Sequence, residues 1–339
     1  MGTQRRHTVT VRAVTIADVA AAARVSRATV SRVMNGVPTV NGEIADRVRT
    51  VVGELGYSPS DTARSLSLGQ SKTVGVLVPD LSNPTFQQIL QGFNSAAAAD
   101  GYRILVTDSH EEVDDEAALV LDARNRTDAV LLCSPRMSEE QLAELLPTVK
   151  PAIVITREAH FQTEASVSAD FIFGIRTLAE HLIALGHTRI AYLDGPAIRN
   201  SQTTLDTLFR EVEMAHPGVT IRKVPCGSSL SDGYYAWDTL KDTTVTGVLA
   251  FNDLLALGLL GRLNEDRVPV PGRVSIAGFD DIHFARFASP PLTTMKLPKP
   301  SLGEAAWVAL RAELKGEAHV APAIFRPELM IRQTTGPRQ

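Results

Sequence analysis

From residue 73 onward the chain repeats one pattern: a short, almost wholly apolar run, a polar turn, then a stretch whose apolar residues recur at helical spacing. The runs are TVGVLVP, YRILVTD, DAVLLC, AIVIT, RIAYL, TIRKV, GVLAF and VSIAGF. A strand with one wet face alternates apolar and polar residues, whereas a strand that is apolar throughout is covered on both faces. Such strands, joined through helices, build parallel sheets with helices on either side. Eight of these units exceed what one open sheet usually holds. The pattern therefore predicts two lobes, joined near residues 157–170.

Residues 15–55 read differently, with helical spacing and no alternation. Ile16, Val19, Ala20 and Ala23 fall at i, i+3, i+4 and i+7 and make one buried stripe. Thr15 is placed to cap this helix, with Asp18 three residues on to complete a capping box and meet the positive helix end. Ser26 is a capping residue for a second helix that runs to Met34 and stops at Asn35-Gly36, where glycine permits a left-handed turn. A third helix starts near Asn41, buries Ile44, Val48, Val51, Val52 and Leu55, and ends at Gly56. Residues 61–68 are too few for a stable isolated helix, since helices below about 12 residues are marginal in water. That segment is expected to order only against a partner.

The formal net charge of −4 conceals an asymmetry: residues 1–72 hold ten Lys or Arg against five acids, a balance of +5, so the remainder carries −9. A basic module on an acidic body suits a protein that sets one end on phosphates, although a basic solvated face gives the same count. Apolar residues make up 44% and charged residues 21%, which excludes a mainly disordered chain. Neither a signal segment nor a membrane-spanning run is evident, so a cytoplasmic protein with no membrane partner is expected. Cys133 and Cys226 stand far apart and read as core residues. No disulfide framework, metal site or cofactor is expected.

With Val30, Val33 and Met34 turned to the core, the second helix presents Arg27, Ala28, Ser31 and Arg32 outward. This is a short, small and basic face that fits a major groove about 12 Å wide. Arginine pairs bidentately with guanine, alanine meets a thymine methyl, and Thr29, Ser31 and Asn35 can bond phosphates. An ordinary solvated helix is the competing reading.

The segments TIADVAAAARVSRATVSRVMNG, ELGYSPSDTARSLSLGQSKTVGVLVPDLSNPTF, AEHLIALGHTRIAYLDGP, FNDLLALGLL and VSIAGFDDIHFARFASPPLTTMK together resemble the lactose/galactose repressor (LacI/GalR) family over essentially the whole chain. The resemblance implies an α/β protein with an all-α helix-turn-helix headpiece and a two-lobed, periplasmic-binding-protein-like domain of doubly wound parallel sheets. It implies a homodimer that binds double-stranded operator DNA and a small-molecule effector. Arg27, Ala28 and Arg32 match base-reading positions, and Thr15, Thr29, Ser31 and Asn35 match backbone-contacting ones. Residues 60–68, with Arg64 and Leu66, match a hinge helix of the minor groove, Leu66 being the wedge at the central base step. An apolar wedge unstacks and kinks DNA at a cost of a few kcal/mol, offset by wider contact. Asp80, Phe86, Arg157, Arg199, Ser201, Asn252, Asp253 and Asp280 match positions lining the effector cleft. A mixed set of carboxylates and amides suits a polyhydroxylated ligand, a sugar or sugar derivative. Helix capping or loop bonding is the competing role for Asp253 and Asp280, and the core for Phe86.

The expected layout is a DNA-binding domain over residues 1–59, a hinge and linker over 60–72 and an effector and dimerisation domain over 73–339. Lobe 1 takes about 73–165 plus 295–321, and lobe 2 about 166–294 plus 322–337. The sequence also departs from the family pattern. Leu205 stands where an effector-gripping arginine is common, Ser228 where an aromatic is common and Leu297 where a glutamine is common. Arg24 replaces the glycine usual between the first two helices, which costs about 1 kcal/mol if that turn is left-handed.

Two rivals share the α/β texture: an enzyme, and a secreted binding protein whose helical N-terminus serves another end. Gly-x-Gly-x-x-Gly, Gly-x-Ser-x-Gly, Walker and His-Glu-x-x-His motifs are all missing. His181 and His187 read as capping or solvated groups. A secreted protein would open with a signal segment in place of the basic module. The expectation is thus a regulator without catalysis. Repression is favoured because a dimer on a promoter obstructs polymerase, and no leucine heptad tail suggests a tetramer.

Overall fold

The first turn of the helix that follows Thr15 is built as its capping residues dictate. In the computed structural model, which describes residues 14–34, 36, 39–57, 70–156, 166–196, 199–318 and 320–338, the Asp18 carboxylate accepts hydrogen bonds from the Thr15 backbone N–H at 2.8 Å and its hydroxyl at 2.7 Å. Helix α1 spans Ile16–Ala23 and stops at Arg24, whose φ of 53° is left-handed. The expected strain at this non-glycine residue is therefore present. Helix α2 spans Arg27–Met34, with Ser26 Oγ accepting from the Thr29 N–H at 3.1 Å. Gly36 follows at φ 67°. Helix α3 spans Gly42–Leu55, capped by Asn41 and closed by left-handed Gly56.

These three helices enclose a small core of Val19, Ala20, Ala23, Val30, Val33, Ala45 and Val48. Each fully buried valine contributes roughly 1.5 kcal/mol or more, so a core of valines and alanines gives only modest stability. The Arg47 Nε–H, donating to the Ala23 carbonyl at 3.0 Å, ties α3 to the end of α1. Of the five residues expected to bury α3, Val48 is fully buried, Ile44, Val51 and Val52 are half-buried, and Leu55 is exposed. The chain divides into two compact units, Met1–Ser71 and Lys72–Gln339. The division falls inside the linker expected over residues 60–72, and the hinge segment over residues 60–68 lies outside the described residues.

Among its described residues the second unit contains two sheets of six strands. Strands β1 (Thr73–Val78), β2 (Arg103–Asp108), β3 (Ala129–Cys133), β4 (Ala152–Thr156), β5 (Ser166–Ala169) and β11 (Ala323–Phe325) form the first, in the order β11-β5-β4-β3-β1-β2. Strands β6 (Arg189–Asp194), β7 (Thr220–Pro225), β8 (Gly247–Ala250), β9 (Ser275–Asp280), β10 (Thr293–Lys296) and β12 (Glu328–Met330) form the second, in the order β12-β10-β9-β8-β6-β7. All pairings are parallel except β10 with β12. Both sheets share one winding, reversing direction between β1 and β3 in one and between β6 and β8 in the other.

Helices α4 (Pro84–Ala99), α5 (Val113–Arg126), α6 (Glu139–Leu145) and α12 (Lys299–Lys315) accompany the first sheet; α7 (Phe171–Ala184), α8 (Arg199–Ala215), α9 (Leu230–Leu240), α10 (Asp253–Glu265) and α11 (His283–Phe287) accompany the second. Helices α4 and α12 approach closely through glycine. A Cβ on Gly92 would lie 2.1 Å from the Pro300 carbonyl oxygen, and one on Gly303 would lie 2.2 Å from that of Ile89. Among the described residues no helix is long and apolar enough to cross a membrane.

The lobe limits need correction. Ser166–Ala169 pairs with β4 and so belongs to lobe 1, Thr293–Lys296 pairs with β9 and belongs to lobe 2, and Ala323–Phe325 returns to lobe 1 beside β5. The chain therefore changes lobe near 170, 297 and 326, a few residues later each time than the expected 165, 294 and 321. Four strands of three or four residues, β5, β10, β11 and β12, went unread. They are too short to show a period, and hydrogen bonding to longer neighbours is what fixes them.

Candidate nucleic-acid interface and effector cleft

On α2, Val30 and Val33 are buried and Met34 is half-buried, while Arg27, Ala28 and Arg32 are exposed. Thr29 and Ser31 are half-buried at the edges of this face. Thr29 shares a hydroxyl contact of 2.9 Å with Ser26, and the Thr15 hydroxyl is engaged by Asp18, so both also serve their own helix starts. The three expected base-reading residues thus share one exposed side of a helix that is anchored through its other side. Asn35, Arg64 and Leu66 lie outside the described residues.

In open α/β sheets, ligands sit beyond the carboxyl ends of the strands where the strand order reverses. Here these ends lead to Asp80 after β1, Ser134 and Arg136 after β3, and Asn252 after β8. Five of the eight described non-glycine residues at positive φ lie at or just past strand ends: His110, Glu111, Ser134, Asp280 and Asp281. Such conformations cost of order 1 kcal/mol or more each and tend to collect at functional sites.

The expected cleft residues separate into different roles. Asp80 is half-buried and its Oδ1 accepts from the Ser82 N–H at 2.7 Å. Asn252 is buried: its Oδ1 accepts from the Leu255 N–H at 2.8 Å, capping α10, and its Nδ2 donates to the Ser228 carbonyl at 2.9 Å. Asp253 is fully buried, with Oδ1 accepting from the Thr294 hydroxyl at 2.5 Å and Oδ2 from the Ile282 N–H at 2.8 Å. Loop bonding is therefore its role here. Burial, and then the neighbouring Asp280 charge, push its carboxyl well above the usual carboxylate range. Asp280 is buried too, and its Oδ2 accepts from the hydroxyl of Thr85, on α4 of the opposite lobe, at 2.8 Å.

Phe86 takes the competing role set beside its cleft assignment: it packs in the lobe 1 core with Ile89, Phe93 and Trp307 and is 1% exposed. Leu205 and Leu297 are buried in the lobe 2 core, so the two polar positions they replace have become apolar packing. Arg199 and Ser201 fall in the first turn of α8, but their side chains, like Arg157 altogether, lie outside the described residues.

Three groups escaped sequence reasoning. Lys299 at the start of α12 is 2% exposed, and its ammonium donates to the carbonyls of Asp280 and, at 3.1 Å, Asp281. Thr85 bridges the lobes as described. Arg136 pairs through Nε and Nη2 with both oxygens of Glu111, the Nη2 contact being 2.8 Å. Glu111 in turn accepts from Ser228 Oγ, on lobe 2, at 3.1 Å. The charged residue three positions after the apolar run DAVLLC was the available signal.

His187 also differs from expectation. It is buried, and since the Gly336 carbonyl 3.1 Å away only accepts, Nε2 carries the proton while Nδ1 accepts from the Thr246 hydroxyl at 2.9 Å. His181 Nε2 meets the Thr335 hydroxyl at 2.9 Å. The two imidazoles fasten the C-terminal segment to lobe 2, and burial holds both below the usual histidine range.

Comparison with known proteins agrees with this division. Residues 15–60 match bacterial regulatory proteins, lacI family, and residues 179–335 match the periplasmic binding protein-like domain. The chain is 31% identical to the HTH-type transcriptional regulator GalR of Salmonella typhimurium (strain LT2) over 326 residues, covering 94% of this chain and 95% of that protein. It is 31% identical to the HTH-type transcriptional repressor PurR of Vibrio parahaemolyticus over 335 residues, covering 94% and 98%. The Lac repressor dimer bound to operator and the anti-inducer ONPF superposes with a TM-score of 0.82 at 26% identity, over 96% of this chain and all of that one. From an exposed basic helix face, two like-wound lobes and relatedness along nearly its full length, the chain belongs to the LacI family of bacterial DNA-binding transcriptional regulators.

Proposed function

We propose that this regulator is a cytoplasmic, nucleoid-associated repressor that binds a roughly palindromic operator as a homodimer, with one α2 in a major groove of each half-site. Its operator affinity is set by a small molecule, a sugar or sugar derivative, held between the lobes. The observation that carries this reading is the exposed Arg27, Ala28 and Arg32 on a helix whose opposite side is seated on Val30 and Val33. In this proposal Arg27, Ala28 and Arg32 read bases while Thr15, Thr29, Ser31 and Asn35 hold the backbone. Arg64 and Leu66 act in the central minor groove, Leu66 as the wedge. Asp80, Asn252 and Asp280 form the polar floor of the effector cleft, with Arg157, Arg199 and Ser201 assigned to it by family resemblance. Asp253 positions the Asp280 loop from beneath. Exposed apolar side chains on lobe 2, Leu230, Tyr235, Phe284 and Phe287, suit an interface between copies.

The test is selection of bound sequences from random double-stranded DNA, repeated with sugars and nucleosides added. The expected result is an enriched motif of two inverted half-sites whose recovery changes with one ligand class, with affinity falling steeply as salt rises. An enriched pool without symmetry, or no enrichment at low salt, would overturn the proposal. Replacing Leu66 with Ala is expected to weaken operator binding while the effector domain melts unchanged, and undiminished affinity would remove the wedge from the scheme.

A further inference from the structure

Resting on the reading of the cleft as an effector site, we infer that the effector carries a carboxylate, and that this group takes the place of Glu111 on the Arg136 guanidinium. The two partners of that ion pair are held very unequally. The Arg136 side chain is 3% exposed and that of Glu111 is 24% exposed. The backbone N–H of Arg136, at 2.8 Å, and that of Met137, at 2.9 Å, both donate to the fully buried carboxylate of Glu116. The Arg136 Nη1 edge faces Ser134, with its carbonyl and hydroxyl oxygens each 3.3 Å away. The arginine is thus fixed just past the end of β3, with its Nε–Nη2 fork closed by Glu111, whose carboxylate also meets lobe 2 at Ser228.

Glu111 sits at a loop tip after β2, where it and His110 both adopt left-handed conformations. Its carboxylate also takes the Ser228 hydroxyl of the opposite lobe. A planar guanidinium fork selects a group with two coplanar oxygens, and Glu111 shows that a carboxylate fits this seat.

The exchange has a definite direction. Expelling Arg136 would leave a buried cation or tear its loop from Glu116. Exchanging one carboxylate for another keeps the guanidinium paired and lets Glu111 swing to water, so the displacement avoids the penalty of an uncompensated buried charge. A neutral polyol offers no such exchange and leaves the pair closed. Because Glu111 also holds Ser228, its departure breaks a bond between the lobes. Recognition of the anion is thereby coupled to lobe spacing.

The experiment uses the full chain and acetate as the probe. Glu111→Ala opens the seat, and melting is followed by fluorescence of Trp237 and Trp307. Sodium acetate at tens of millimolar is expected to raise the Tm of Glu111→Ala by several degrees beyond sodium chloride at equal ionic strength. The wild type, whose seat is filled, and a double variant with Arg136→Met are expected to respond alike to both salts. No acetate-specific gain in Glu111→Ala, or the same gain in the double variant, would overturn the inference and leave the pair a fixed strut. Should Glu111→Ala fail to fold, Glu111→Gln keeps the shape without the charge. It is expected to show the same acetate preference, and its absence there counts equally against the inference. Melting needs no DNA, so a negative result with operator selection intact sinks the carboxylate assignment alone. Failure of operator selection sinks the regulatory reading instead.

Discussion

The α2 face and the effector cleft solve opposite problems with similar residues. On α2, Arg27 and Arg32 stand in solvent over a valine floor, so their charge is available to whatever approaches. In the cleft, Arg136 is bound to Glu111, Asp280 to Thr85 and Asp253 to Thr294 and the Ile282 amide. The first surface is ready-made for a polyanion. In the second these described polar groups already have internal partners, so on the proposed reading a ligand there binds by exchange and must match the group it displaces. Affinity on α2 is governed by salt, whereas selectivity in the cleft is governed by which internal bond a ligand can replace without stranding a charge.

The sharpest attack on the cleft side of this comparison is Lys299→Met. Removing the ammonium leaves the Asp280 and Asp281 carbonyls and two buried carboxylates without their cation, which is expected to cost about 3–5 kcal/mol. Urea unfolding read by Trp237 and Trp307, both in the second unit, checks it, and a loss under 1 kcal/mol would mean that the cluster is wetter than described. On the α2 side, Arg27→Ala is expected to relax preference at one base position per half-site by about 1–3 kcal/mol. A uniform loss across sequences in a binding-site library would make Arg27 a phosphate contact.

Acid provides a third probe. Burial lowers His181 and His187 below their ordinary value of 6.5, so between that value and their lowered folded ones the unfolded state binds more protons. Stability of the effector domain is therefore expected to fall as pH drops below about 6.5, by at most ~1.4 kcal/mol per pH unit for each histidine. His187→Gln should flatten that slope, and an unchanged slope would place the titration elsewhere. The smallest effect is a gain. Arg24→Gly relieves a left-handed residue and is expected to stabilise the headpiece by about 1 kcal/mol, or somewhat less after glycine's greater freedom in the unfolded chain is counted. Circular dichroism melting would show it.

The same contrast explains what could be read in the sequence. The α2 face follows from a period: once Val30 and Val33 are assigned inward, geometry alone puts Arg27, Ala28 and Arg32 on the other side. Caps at Thr15, Ser26 and Asn41, and the strain at Arg24, are local events and were equally plain. Cleft roles depend on partners far along the chain. Asp253 meets Thr294 and Asp280 meets Thr85, contacts that no local pattern encodes, so lining and loop bonding looked equivalent. Phe86 had the right place for a ligand contact, yet the Trp307 cluster claimed it. Glu111 and Arg136 drew no notice because each looks like a solvated loop charge until β2 and β3 are set on either side of β1.

The late return of the chain to lobe 1 has a consequence for its birth on the ribosome. Helix α12 and strand β11, which complete the first sheet, emerge only after nearly all of lobe 2 has been synthesised. Until then the apolar side that Trp307 and Leu310 will cover stays bare, together with the β5 edge. The nascent protein therefore spends nearly the whole synthesis of its second lobe with an unfinished first one, the interval in which exposed sheet surface invites aggregation or chaperone capture.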